Sequence, residues 1–307
     1  MQKFNEACFM LWRNDKAILL GKNQNVYKEV NLPYAAEQGI KIVRRLTGGG
    51  AVFTDAGNIM FTFISCDSRQ DFADFHKFTA PILKALQALG IPAKFSGRND
   101  LTIHGKKFSG NAQCRYRDKV LHHGTLMYKA NTDELMKALK VSDIKLKSKG
   151  VDSVKGRVTN ISSYMTEPMD IEEFRGYLFE SVMNETKDAH LYRLSEADWE
   201  EVKELEQARH GREEWIYGEN PKFNMEKETK LPGGIIQAYL EVQKGKIEKV
   251  RIYGDFFSSM DISDIEGALI GVFYKKDNLE KVLQTFEIDN YFKNVTVGEL
   301  VSCIIDA

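Results

Sequence analysis

Apolar residues along the first two-thirds of this chain fall into short separated runs, and the period of those runs changes repeatedly. "AILLG" (17–21) is a continuous apolar run of strand length, and "NIMFTFIS" (58–65) alternates and is rich in strand formers. "IKIVRRL" and "AVFT" read as two further strands around three consecutive glycines, Gly48, Gly49 and Gly50. "DFADFHKFTAPILKALQALG" (71–90) switches to helical spacing and ends on Gly90, with Pro81 predicting a kink or a helix start part-way along. "NDLTIHGKKFSGNAQCRY" reads as two strands turning at His104–Gly105, and "VLHHGTLMYKA" (120–130) as another strand. "TDELMKAL" (132–139) predicts a helix capped by Thr132. Residues 170–185 and 195–209 have the spacing of amphipathic helices. The elements predict an α+β fold, a mixed sheet flanked by helices.

The pattern breaks at "ENPKFNMEKETKLPGG" (219–234), rich in Pro, Gly and charge, which predicts a boundary. Two strands joined at Lys244–Gly245 follow, then three short helices near 261–270, 277–285 and 297–305. The expected division is a domain over 1–226 and a small ββααα module over 227–307, too small for an independent catalytic domain. A length of 307 residues suits one large and one small domain.

Composition narrows the class. The formal net charge of −1 gives no broad basic field for nucleic acid. No apolar stretch nears the length of a membrane span, and the first residues lack the form of a signal peptide, so a cytoplasmic protein is expected. Cys8, Cys66, Cys114 and Cys303 are scattered, which predicts reduced thiols rather than a zinc site or a disulfide framework.

Three stretches could carry chemistry. In "RRLTGGGAVFTDAGN" the glycines allow either a tight turn or bulge, or a nest of backbone N–H groups that an anionic ligand can approach. Strand alternation sends Arg44 and Arg45 to opposite faces, so at most one reaches such a ligand. In "GRNDLTIHGKKFSGNA" (97–112) alternation likewise separates Lys106 from Lys107, and Asp100 is a carboxylate suited to Mg²⁺ with a nucleotide phosphate. In "HHGT" (122–125) adjacent histidines cannot share a face, which argues against a two-histidine metal site. The basic stretch 142–161 reads as a solvated loop or as a mobile loop over an anionic ligand.

Taken in order, "RRLTGGGAVFTDAGN", "SGRNDLTIHGKKFSGNAQ", "HHGTLMY" and "SKGVDSVKGRVTNI" resemble the lipoate–protein ligase family. "LGKNQNVYKEVN" (20–31) and "WIYGENPKF" (215–223) extend the resemblance from about Phe9 to the C-terminus. It implies a biotin/lipoate ligase-like catalytic domain with a C-terminal accessory domain. The implied activity uses ATP and Mg²⁺ to convert lipoate, or octanoate, to its acyl-AMP, then passes the acyl group to a lysine of an acceptor. Implied acceptors are an E2 lipoyl domain or the glycine-cleavage H protein; nucleic acid and membrane are not implied partners.

By motif position, Lys107 is the implied catalytic residue and also binds ATP and lipoate. Arg45, Gly50, Ala51, Val52, Phe53 and Asn58 match the nucleotide-binding segment. Leu46, Gly48, Gly49 and His123 are the implied lipoate contacts, and Asp100 the metal ligand. Thr54 and Ala56 depart from the family's usual histidine and leucine, and Cys114 from a frequent basic residue. Members usually open with a helix about thirty residues ahead of the strand at Phe9, whereas Met1 here stands almost at that strand; a shortened chain, or a sheet flank covered differently, is expected. Competing readings are an octanoyl or lipoyl transferase using a cysteine nucleophile, for which Cys114 is the candidate, and a lipoate-binding paralogue that does not adenylate. Biotin ligases share the fold class, but "HHGT" argues against them.

Overall fold

The computed structural model describes residues 3–66, 72–140, 156–167, 169–186, 189–218 and 224–305. Most of the basic stretch at 142–161 lies outside these residues, and so does the reading of it as a loop over a ligand. The main sheet has the order β1-β5-β9-β8-β7-β6 and is antiparallel throughout. Its strands are β1 (Cys8–Trp12), β5 (Asn58–Ser65), β6 (Ala93–Ser96), β7 (Asp100–Ile103), β8 (Lys106–Tyr116) and β9 (Lys119–Met127). The mixed pairing expected of the sheet belongs to a separate small one. There β2 (Ala17–Leu20) pairs parallel with β3 (Lys41–Arg44) and antiparallel with β4 (Val52–Thr54).

Alternation along the main sheet divides its faces. Two short helices, α1 (Val26–Glu29) and α2 (Leu32–Glu37), precede α3 (Phe75–Ala88), and Phe9, Leu11, Ile59, Phe61, Phe63 and Leu126 turn to a core shared with α3 and the helix Ile171–Asn184. Pro81 lies inside α3. Asp170 and Glu173 form a capping box that starts the second of these helices. The cap of the helix Thr132–Ala138 is Asn131 rather than Thr132, because its side chain accepts from both Asp133 N and Glu134 N. The helix Glu196–Leu205 is amphipathic, but Trp199, Val202 and Leu205 on it are exposed.

The last part of the chain has its own sheet, β10-β11-β12, and its own core, including Ile236, Leu240, Ile252, Leu279 and Val301. Among the described residues four helices follow β12 (Lys246–Gly254), not three, because Ile288–Tyr291 forms an extra turn. A third strand was also missed. β10 (Met225–Leu231) lies within the stretch read as a boundary; "MEKETKL" is a charged edge strand that, among the described residues, pairs with β11 (Gly234–Gln243) alone. This module docks on the large domain through named contacts. Gly254 N donates to Asn23 O at 2.7 Å, Lys22 pairs with Asp261 at 3.1 Å, and Lys28 pairs with Glu226. Arg98 donates to Gly233 O and Asp255 O, and its guanidinium lies 4.8 Å from the centre of the Phe257 ring.

Candidate active site

Two arginines shape the glycine segment, and both spend their donors on backbone carbonyls. Arg44 is buried; its guanidinium bonds to the carbonyls of Gly21, Lys22, Gln24, Trp215 and Ile216. Arg45 bonds to Leu19 O, Gly48 O and Gly50 O, each at 2.8 Å, and to Thr47 Oγ1 at 2.9 Å. It thereby ties the end of β2 to the glycines. Burial, and then the charge of Arg44, weaken its hold on a proton. A lysine cannot span four acceptors with a planar fork. Arg45→Lys is therefore expected to lower stability by about 1–3 kcal/mol, read from the urea midpoint at unchanged m-value.

The glycines have different neighbours. A Cβ on Gly48 would lie 2.4 Å from Phe256 O, and one on Gly49, whose φ is +90°, would lie 3.3 Å from the Phe257 ring. The close approach they permit is made by Phe256 and Phe257 of the C-terminal module and, at Gly49, also by Arg45. Phe256 and Phe257, both buried, occupy the space beside Gly48 and Gly49 that was expected to take an acyl tail. Gly50 is the open one, with nothing within 4 Å of a Cβ placed there. Leu46, four residues before it in sequence, is exposed.

Thr54 and Asn58 are both buried. Thr54 is buried opposite Ala17 and donates to Ala17 O at 3.3 Å, so it serves packing within the small sheet. Asn58 is buried and accepts from Asp55 N at 3.0 Å; Asp55 in turn accepts from Gly57 N and Asn131 N at 2.8 Å each. The stretch "TDAGN" thus builds a turn. The Oδ1 of Asn58 is engaged in that turn. Phe53 is also buried, in the core of the small sheet, while Ala51 and Val52 are partly exposed.

The histidines split as strand alternation requires. His122 lies in the core face, stacked on Phe78 at 5.0 Å, with Gln113 Nε2 donating to its Nδ1 at 3.0 Å and its Nε2 facing Asn111 Oδ1 at 3.3 Å. His123 points to the other face, where Thr47 Oγ1 lies 2.7 Å from its Nε2. Arg45 already donates to that hydroxyl, so the hydroxyl's own proton is directed at the imidazole. Burial, and then Arg45, press the His123 pKa down to about 3; burial, and then His123, press that of His122 well below 6.5. Both rings are neutral at pH 7. The unfolded chain binds these protons more tightly, so stability is full above pH 6.5 and falls as pH drops from there toward 3. A loss of about 1–3 kcal/mol between pH 7.5 and pH 5 is expected from urea unfolding, reduced in His122→Gln.

On the His123 face, register rows run Cys8–Ile64–Leu121–Cys114, then Met10–Thr62–His123–Ala112, then Trp12–Met60–Thr125 with Gly110 beside Thr125. Successive rows are about 7 Å apart. Lys107 reaches this face through an irregularity. Leu101 pairs with Ser109 and Thr102 with Lys107, so Phe108 is an extra residue in β8. This bulge lets Phe108 enter the core while the Lys107 side chain folds over Gly110, its Nζ 2.9 Å from where a Cβ on Gly110 would stand. There it pairs with Asp100 at 2.7 Å. Alternation separated Lys106 from Lys107, but the bulge decides which face each takes. A run of "KKF" before "SG" is a weak sign of a bulge, and nothing else in the sequence marks it.

Among the described residues no group of three or more His, Cys, Asp and Glu side chains gathers to hold a metal. Asp100 alone fits the modest protein share that Mg²⁺ takes when phosphates supply its other ligands. Burial pushes the Cys114 thiol up to about 11, which disfavours the thiolate that a cysteine nucleophile needs.

The chain and its fold have known counterparts. Residues 1–183 match the lipoyl protein ligase A/B catalytic domain, and residues 220–304 match the bacterial lipoate protein ligase C-terminus. The chain belongs to the lipoate–protein ligase family. Lipoate–protein ligase 1 of Staphylococcus aureus is 40% identical over 296 residues, 96% of this chain and 90% of that protein. Among solved lipoate ligase structures, that of P. falciparum LipL1 in complex with lipoate superposes with a TM-score of 0.80 at 27% identity, covering 100% of this chain and 89% of that one. A bi-partite ligase of Thermoplasma acidophilum, described with its E2 lipoyl domain, gives a TM-score of 0.62 at 27% identity over 71% of this chain and 87% of that one. No helix among the described residues is long and apolar enough to cross a membrane.

Proposed function

We propose that this lipoate ligase joins lipoate to ATP and transfers the lipoyl group to a lysine of a lipoyl-type acceptor domain. The observation that carries this reading is the bulged placement of Lys107 over Gly110, beside Asp100 and one register row from His123. The lipoate carboxylate and the α-phosphate are both anions, and bringing them together requires a cation between them. The ammonium of Lys107 supplies it and stabilises the charge that develops as the carboxylate oxygen bonds to phosphorus and pyrophosphate departs. The backbone around Gly50, including Ala51 and Val52, borders the space for the nucleotide. Asp100 would hold Mg²⁺, which would neutralise phosphate charge there.

The acyl tail then runs along the face of Thr62, His123 and Leu121 toward Met10 and Trp12, rather than between Gly48 and Gly49. Trp12 is held by Nε1 donating to Thr62 Oγ1 at 3.1 Å. A neutral His123 suits an apolar chain better than an imidazolium, which would need a counter-ion. In the second step an unprotonated acceptor amine attacks the acyl carbonyl, AMP leaves, and Lys107 again polarises the carbonyl oxygen. Neither step needs a thiol. The test is incubation with ATP, Mg²⁺, lipoate and an apo lipoyl domain, following acceptor mass and AMP. Transfer that proceeds equally well without ATP from an acyl-protein donor overturns the ligase reading.

A further inference from the structure

Lys107 is gripped along a strand edge that the main sheet leaves open. β8 pairs with β7 from Lys106 to Gly110 but with β9 only from Asn111 onward. Beside Lys107 the second edge is filled by Arg157–Thr159. Lys107 N donates to Arg157 O at 2.6 Å, and Thr159 N donates to Lys107 O at 2.9 Å, around a parallel bridge to Val158. This short segment is itself rooted one residue later. Asn160 Nδ2 donates to Ala130 O at 3.0 Å, and Ala130 N donates to Asn160 Oδ1 at 2.9 Å. Asn160 thus closes a two-bond ring with the backbone just beyond β9, far along the chain from Lys107.

We propose that Asn160 is a positioning residue for Lys107, acting through the Arg157–Thr159 backbone; the proposal rests on the role given to Lys107 above. A bulge interrupts the ladder that would otherwise fix a strand residue. Here the bulge lies at Lys107 and Phe108, so the β7 side holds this lysine less firmly than a regular pair would. The clamp from Arg157 and Thr159 restores the missing constraint on both its N–H and its C=O. The ammonium sits at the end of four methylenes, so a small rotation of the peptide displaces it by an ångström or more. The side-chain bonds of Asn160 go to the backbone of Ala130 and not to Lys107, so it acts on the lysine's position through the intervening backbone.

Adenylation is measured as pyrophosphate release for wild type, Asn160→Ala, Asn160→Asp and Lys107→Ala, together with thermal unfolding. The Lys107 side-chain signal is followed by NMR on lysine-labelled protein, assigned by its loss in Lys107→Arg. Asn160→Ala is expected to lower kcat about 30-fold with KM for ATP and lipoate within about twofold, on the scale expected for displacing a reacting group. Its Lys107 signal is expected to shift. Asn160→Asp, which keeps the acceptor for Ala130 N, is expected to recover part of kcat and of the wild-type signal; it also serves as the test if the alanine variant does not fold. A folded variant with wild-type kcat, or a lowered kcat with the Lys107 signal unmoved, overturns the proposal. If Lys107→Ala adenylates as well as wild type, the role of Lys107 itself falls; if Lys107→Ala is inactive and Asn160→Ala is not, only the positioning role does.

Discussion

Lys107→Ala is expected to slow lipoate adenylation about a thousandfold, the upper range for removing one preorganised electrostatic group. The fall belongs in kcat, because the cation serves charge that develops only as the carboxylate and phosphate join. Folding stability is expected to change by no more than about 1 kcal/mol, because the pair with Asp100 is partly exposed. Lys107→Arg is expected to restore little. The ammonium reaches Asp100 by folding closely over Gly110, and a planar guanidinium has no room to copy that path. Single-turnover pyrophosphate release, with lipoyl transfer from preformed lipoyl-AMP measured separately, checks both steps. A Lys107→Ala variant within tenfold of wild type in both steps sinks the assignment.

The second large effect concerns Gly48. Its missing side chain makes way for backbone atoms, Phe256 O at 2.4 Å and Phe257 Cα at 3.3 Å from a Cβ built there. Backbone cannot rotate aside as a flexible side chain would. Gly48→Ala is therefore expected to cost about 3 kcal/mol, the upper range for overpacking, and to loosen the accessory domain from the large one. The same change two residues on has the opposite profile. Gly50→Ala meets nothing within 4 Å and is expected to leave the melting temperature alone. Its methyl projects into the space given to the nucleotide, so KM for ATP is expected to rise about tenfold, roughly the effect of 1.4 kcal/mol of lost binding. Thermal unfolding beside steady-state kinetics on the two variants separates these outcomes. Equal stability loss in both would show that the two glycines do not differ as their surroundings indicate.

Much of this was legible in the sequence, for identifiable reasons. α3 was readable because it buries one face and so carries a clean period, and β5 because its strand formers are buried on both faces over its first five residues. β10 was not, because an edge strand with charged residues on the water side shows neither apolar run nor strong alternation. At the site, the motifs marked Lys107, Asp100 and His123, but strand alternation could not fix the face of Lys107. A bulge leaves the composition of a strand unchanged and alters only its count of residues. The glycines were harder still. Close approach by a ligand and close approach by a distant part of the same chain both require a missing Cβ. Only the fold shows that Phe256 and Phe257 take two of the three places. Thr54 and Asn58 lie in the same conspicuous stretch as the glycines, yet one packs the small sheet and the other builds a turn.

The docking of Phe257 bears on how this protein can be divided. Phe257 is packed against Phe75 and Ala112 of the large domain, with Gly49 at its ring. A fragment ending before β10 would leave an aromatic-lined hollow beside a strip of bare glycine backbone. Such a surface invites self-association, so the isolated large domain would be a poor reagent for crystallisation or ligand screening unless Phe75 were exchanged for a polar residue. The small module is, in this sense, a solubility tag that the large domain carries in the same chain.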